Sequence, residues 1–199
     1  MKTIRALFCL MLSISPPAFP AGESALKSGV FDPPRAAPEF NLPASTGSEF
    51  SLASQRGKVV VLGFGFSHCP DVCPVTLATL AQMRKQLGEL AEQAQVIYIT
   101  VDPERDTPAR LREYLALFDK SFIGLTGAPA QLKALREAYG IMAARAENKD
   151  APDGYLVHHS TYVYLIDRAG LLRALVPFGN SAADFAHDVR ILLQEPDGK

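Results

Sequence analysis

Two stretches of this chain, residues 58–66 and 95–101, are apolar almost without a break, and an amphipathic segment beginning at Pro74 lies between them. A strand buried on both faces reads as a continuous apolar run, and a helix between two such strands returns the chain for parallel pairing. This unit constrains the chain to an α/β layout with a covered central sheet.

The flanking segments extend the pattern. Residues 40–42 and 49–52 read as short strands around a Ser/Thr/Gly turn. Leu77, Leu80, Met83, Leu87 and Leu90 fall near one face of the helix that Pro74 opens. Thr107 and Pro108 predict a helix cap and first turn leading to residue 118, and residues 122–125 a short strand. A further helix over 130–139 ends at Gly140, 148–154 is a polar turn, and 162–166 with 171–176 predict a β-hairpin before a closing helix over 181–194. The order is the thioredoxin arrangement: an α/β, thioredoxin-like fold with a central mixed β-sheet flanked by helices, an N-terminal β extension and an inserted helix.

The length, 199 residues, suits one domain with a full core. That domain is expected over residues 39–194, with 195–199 as a tail and the Pro/Gly/Ala/Ser-rich stretch 22–38 as a flexible leader. Residues 1–21 read as a secretory signal peptide: Lys2 and Arg5 precede an apolar core, and Pro16, Pro17 and Pro20 break it before Ala21. The apolar run is shorter than the roughly 20 residues a spanning helix needs, so cleavage is the first reading and an uncleaved inner-membrane anchor the second. Cys9 leaves with this segment, so a mature chain holds two cysteines. Loss of Lys2 and Arg5 takes the formal charge from −1 to −3, and no basic patch remains, which argues against a nucleic-acid partner.

Those two cysteines, Cys69 and Cys73, stand in FSHCPDVCP between the first buried run and the first long helix. Each precedes a proline, and a residue before proline is pushed out of the α region, so both are expected in a loop with Cys73 capping the helix at Pro74. Unpaired N–H groups and the helix dipole there favour a thiolate. Two thiolates suit a soft cation such as Cu(I), and imidazole is a common further ligand for copper. The candidate imidazoles are His68, His158, His159 and His187. His187 reads as surface on the closing helix, and His68 abuts Cys69 in a stretch whose adjacent side chains point apart. His158 and His159 are better placed, since the loop before residue 162 lies beside the cysteine loop in a thioredoxin-like sheet.

Three other uses of the pair compete. A plain structural disulfide suits an oxidising compartment, but so short a loop gains little from closure. A thiol-disulfide oxidoreductase using Cys69 and Cys73 would normally carry a proline before the hairpin strand and a two-residue gap between its thiols; HHSTY has no proline and the gap here is three. A peroxiredoxin-like peroxidase expects Thr or Ser three positions before its cysteine, where this chain has Phe66 and Pro70. The stretch VDPERDTP reads as a strand end, a turn and a helix cap, and Phe64, Phe66 and Phe118 as core.

FGFSHCPDVCP at 64–74, TVDPERDTP at 100–108 and a histidine before STYVYLIDRAG, in this order, resemble the Sco/SenC family of copper proteins, over roughly residues 36–194. The resemblance implies Cys69, Cys73 and His159 as ligands to one copper per chain, Cu(I) or Cu(II), and a metallochaperone rather than a multiple-turnover enzyme. It implies as client the CuA site of cytochrome c oxidase subunit II, whose cysteines the protein could also reduce, and, with the secretory signal, a periplasmic setting with a copper donor, a thiol reductant and peripheral or no membrane contact. One departure stands out: the family usually has an aspartate immediately before the histidine, where this chain has His158. Asp71, Asp102 and Asp106 are the candidates to orient the imidazole instead. Oxidation of the pair would remove both thiolates and switch copper binding off.

Overall fold

The computed structural model describes residues 26–151 and 153–196. The expected signal peptide at 1–21 lies outside the described residues. In chain order the elements are β1 (Gly29–Ala36), β2 (Asn41–Pro43), β3 (Glu49–Ser51), β4 (Val59–Gly65), α1 (Val72–Leu87), β5 (Ala94–Thr100), α2 (Pro108–Ala116), β6 (Ile123–Leu125), α3 (Pro129–Tyr139), β7 (Ala143–Glu147), β8 (Tyr155–His159), β9 (Tyr162–Ile166), β10 (Leu171–Pro177) and α4 (Ala182–Gln194). Short 3-10 turns follow β3 and α1. No described helix is long and apolar enough to cross a membrane.

The main sheet has the order β1-β10-β9-β4-β5-β6. β4 is buried at all seven positions and pairs in parallel with β5, which pairs in parallel with β6. β9 runs antiparallel to β4, and the β9–β10 hairpin turns at the expected Asp-Arg-Ala-Gly segment. The sheet is therefore mixed, as predicted. α1 and α4 pack on one another over β4, and α2 packs on β6. Thr107 caps α2 by accepting from the Arg110 N–H, with Pro108 in the first turn. Gly140 closes α3 with φ 71°, the left-handed conformation that glycine adopts without a Cβ penalty.

Three expectations are corrected. The flexible leader at 22–38 is part of the fold over 29–36: β1 pairs with β10 through Gly29–Leu175, Val30–Ala174, Arg35–Leu172 and Ala36–Leu171. The prolines that signalled a leader sit where the register shifts on an edge strand, a place that tolerates a missing N–H. Asp188, fully buried, anchors the entry to β1 by accepting from the backbone N–H groups of Lys27 and Ser28 and from the Ser28 hydroxyl.

Next, the polar turn at 148–154 joins a second hairpin, β7–β8, which forms a two-stranded sheet of its own. Its largely exposed Ala, Arg and Glu residues give no strand signal. His158 and His159 consequently lie on a strand rather than in a loop. Finally, α1 begins at Val72, not Pro74, so Cys73 is in the first helical turn. A proline there forfeits an N–H that has no intrahelical acceptor, and its ring meets no preceding helical carbonyl, so the bias against a helical Cys73 is overcome.

Candidate metal centre

β4 delivers the chain to the site. After Gly65, Phe66 stays buried and Ser67 is held by Asp106, which accepts from its backbone N–H at 3.0 Å and its hydroxyl at 2.6 Å. Asp106 also accepts from Thr100 at 2.7 Å, fastening the ends of β4 and β5 together beneath the cysteine loop. Cys69 is partly buried in that loop, Cys73 is 3% exposed at the start of α1, and both are free thiols.

The helix start acts on Cys69, not on Cys73 as expected. The Cys73 N–H, one of the unpaired donors of the first turn, points at the Cys69 sulfur at 3.5 Å. Donation from the Cys73 thiol, contact with the His159 ring and the backbone N–H groups of Asp71 and Cys73 together outweigh burial and lower the Cys69 thiol from 9.0 to about 4. Its hydrogen bond to Cys69, then burial and the adjacent negative charge, push the Cys73 thiol far up. The two thiols act as a coupled pair in which the thiolate is favoured on Cys69.

His159 closes the cluster from the end of β8. Its Nε2 lies 3.5 Å from Cys73 Sγ. Nδ1 lies 2.9 Å from the carbonyl oxygen of Ser160, which can only accept, so Nδ1 carries a proton and Nε2 is the nitrogen that faces the sulfur. The Phe66 ring meets the imidazole edge-on, with centroids 5.9 Å apart, and fixes its plane. The backbone carbonyl of Ser160 thus does the orienting that was expected of a carboxylate. Asp102 is instead engaged with Arg105 at 2.5 Å and the Tyr155 hydroxyl at 3.1 Å, Asp106 holds Ser67 and Thr100, and Asp71 is exposed at the helix cap.

The other imidazoles lie elsewhere. His158 is exposed on β8, one residue out of phase with His159. His68 turns to Ser67 at 3.1 Å, and His187 to Asp188 at 3.0 Å on α4. Among the described residues no set of three or more His, Cys, Asp or Glu side chains forms a closed cage for a metal; what stands here is a contact pair, Cys73 and His159, with the Cys69 sulfur over the same helix end. The cavity lined by Cys73, Tyr98 and His159 measures about 10 Å³, room for a bare ion or one water.

Two residues of this neighbourhood are not singled out by the sequence reading. Tyr98, 2% exposed on β5, lies within the apolar run that reads simply as core, yet it lines the cavity. Arg105 reads as a turn residue, yet it stacks 3.8 Å from the centroid of Tyr155 and ties β8 to the turn before α2. An arginine next to an aspartate in a turn was the one available hint.

A thioredoxin-like α/β fold with two thiols and an imidazole gathered at the start of its first helix defines the class. The SCO1/SenC family profile matches residues 31–194. The chain is 36% identical over 132 residues to the SCO2-like protein of Rickettsia felis, covering 66% of this chain and 64% of that protein. It is 39% identical over 132 residues to the mitochondrial protein SCO2 of Saccharomyces cerevisiae, covering 66% and 44%. The matched stretch is thus less than two thirds of either relative. Among solved structures it is similar to Bradyrhizobium japonicum ScoI with copper bound (TM-score 0.73, 33% identity, 79% of this chain and 99% of that one). It is likewise similar to yeast Sco1 with copper bound (TM-score 0.73, 31% identity, 83% and 92%). The chain belongs to the SCO1/SenC family.

Proposed function

We propose that this chain is a copper-binding metallochaperone that holds one copper ion through the Cys69 and Cys73 thiolates and the His159 imidazole and passes it on. The observation that carries this reading is the approach of His159 Nε2 to Cys73 Sγ at 3.5 Å, beside a Cys69 sulfur already favoured as thiolate. Soft sulfur donors with one imidazole suit copper in either oxidation state. The similar ScoI and Sco1 structures with copper bound support copper as the metal. The recipient we infer is the CuA site of cytochrome c oxidase subunit II, with the protein at the periplasmic side of the membrane and supplied by a copper donor and a thiol reductant.

A second reading, reduction of a client disulfide, draws on the split between the thiols. A low-pKa, partly exposed Cys69 can attack a disulfide, and the buried Cys73 can then displace the client sulfur. The client gains two electrons and this pair becomes a disulfide, which offers no thiolate to copper.

The test is copper stoichiometry and X-ray absorption on the reduced folded domain and its Cys69→Ala, Cys73→Ala, His158→Ala and His159→Ala variants. One copper per chain with sulfur and nitrogen donors, lost or altered in every variant except His158→Ala, is the expected result. Equal Cu(I) binding by oxidised and reduced protein would sink the proposed switch.

A further inference from the structure

Resting on the copper-holding reading, we propose that the Tyr98 hydroxyl is a hydrogen-bond donor to Cys73 once that sulfur is a metal-bound thiolate, and that Gly65 exists as glycine to admit it. Tyr98 is 2% exposed, and its hydroxyl, beside the Cys73 sulfur, has no well-formed hydrogen bond among the described residues. A buried hydroxyl without a good partner is unfavourable, so its persistence here needs a reason. Its surroundings supply one. A Cβ added at Gly65 would overlap the Tyr98 hydroxyl oxygen and lie 2.9 Å from Cys73 Sγ, so oxygen and sulfur crowd the same point in space. Tyr98, Cys73 and His159 also line one cavity.

A thiol sulfur is a weak acceptor and answers the hydroxyl poorly, whereas a thiolate is a strong, charged one. Copper ligation requires Cys73 to give up its proton, and the poor contact the hydroxyl makes with the thiol then becomes a charge-assisted hydrogen bond. A disulfide sulfur offers no comparable acceptor. Tyr98 therefore favours the metal-holding form over both alternatives. It acts through Cys73 without touching the metal, as a positioning residue that tunes the sulfur.

Tyr98→Phe removes one oxygen and keeps the ring. Against a coloured Cu(I) chelator, the variant is expected to bind Cu(I) about tenfold more weakly than the unaltered protein, the lower end of what outer partners of a ligand contribute. In the Cu(II) form the sulfur-to-copper charge-transfer band should move to longer wavelength, since a sulfur relieved of a hydrogen bond gives up charge more easily. The metal-free variant should melt no lower than the parent, because it sheds a poorly paired buried hydroxyl. Parental Cu(I) affinity and an unmoved band in Tyr98→Phe would overturn this inference and leave the copper reading standing. Failure of the unaltered reduced protein to bind copper at all would overturn both.

Discussion

The Nε2 of His159 stands 3.5 Å from the Sγ of Cys73, although 86 positions separate the two in sequence. Three elements make the contact: β4 carries the chain to the cysteine loop, α1 presents Cys73 in its first turn, and β8 ends at the imidazole.

His158 and His159 should behave oppositely. Replacing His159 by alanine is expected to lower Cu(II) affinity by more than about tenfold, since removal of a mere outer partner already costs about that much. It should also change the visible spectrum. His158→Ala should leave both as they were, because that side chain is exposed on the other face of β8. Chelator competition and absorption spectra on the two variants check this, and equal losses would contradict the assignment.

The thiols should titrate far apart. The Cys69 shift is downward, so its thiolate survives as pH falls from 9.0 and is lost only on passing about 4. Iodoacetamide should therefore label the reduced, metal-free protein at Cys69 with a nearly constant thiolate fraction between about pH 8 and about pH 5, while Cys73 stays unlabelled. In urea both cysteines should react, with the thiolate declining below about pH 8.5. Peptide mapping identifies the labelled residue; initial labelling at Cys73 would make that sulfur, not Cys69, the more acidic of the pair.

Asp102 should matter more than a turn residue ordinarily does. It is 4% exposed and answers both Arg105 and Tyr155. Asp102→Ala leaves the largely buried Arg105 guanidinium with only the more exposed Asp153 carboxylate and the Tyr155 carbonyl as partners, and a loss of roughly 1–3 kcal/mol is expected in denaturant unfolding. Faster amide exchange should concentrate in β7 and β8, with weaker Cu(II) binding following from the looser His159.

Gly65→Ala should destabilise the protein by about 1–3 kcal/mol, as overpacking of a filled interior does. Combining it with Tyr98→Phe should restore only part of the loss, because the ring carbon Cζ is itself 2.6 Å from the added Cβ. Urea midpoints of the two single variants and the double variant measure that coupling.

Much of the fold was legible in the sequence where one physical rule dominated. Two buried runs and the helix between them dictated the parallel β4–β5 pair, and Thr107–Pro108 and Gly140 marked helix ends because caps are local chemistry. The rule failed where context won. Pro33 and Pro34 mean disorder in isolation and an edge-strand irregularity beside β10. The largely exposed β7–β8 ribbon carries no period to read, since cross-strand pairing, Arg105 on Tyr155 and the contact of Ala143 and Val157 with the core hold it. Cys69 and Cys73 were legible from their motif, and His159 from family resemblance. Tyr98 was hidden by its surroundings, since a tyrosine within an apolar strand looks like any other core residue.

The separateness of the β7–β8 ribbon has a consequence for how a held ion would leave. The sulfurs belong to the loop and helix start that follow β4 of the main sheet, while the imidazole rides on a two-stranded piece outside that ladder. Small ribbons open locally at lower free energy than central strands do. A nitrogen donor there would sit on the part of the site that opens more readily than the part that carries the sulfurs.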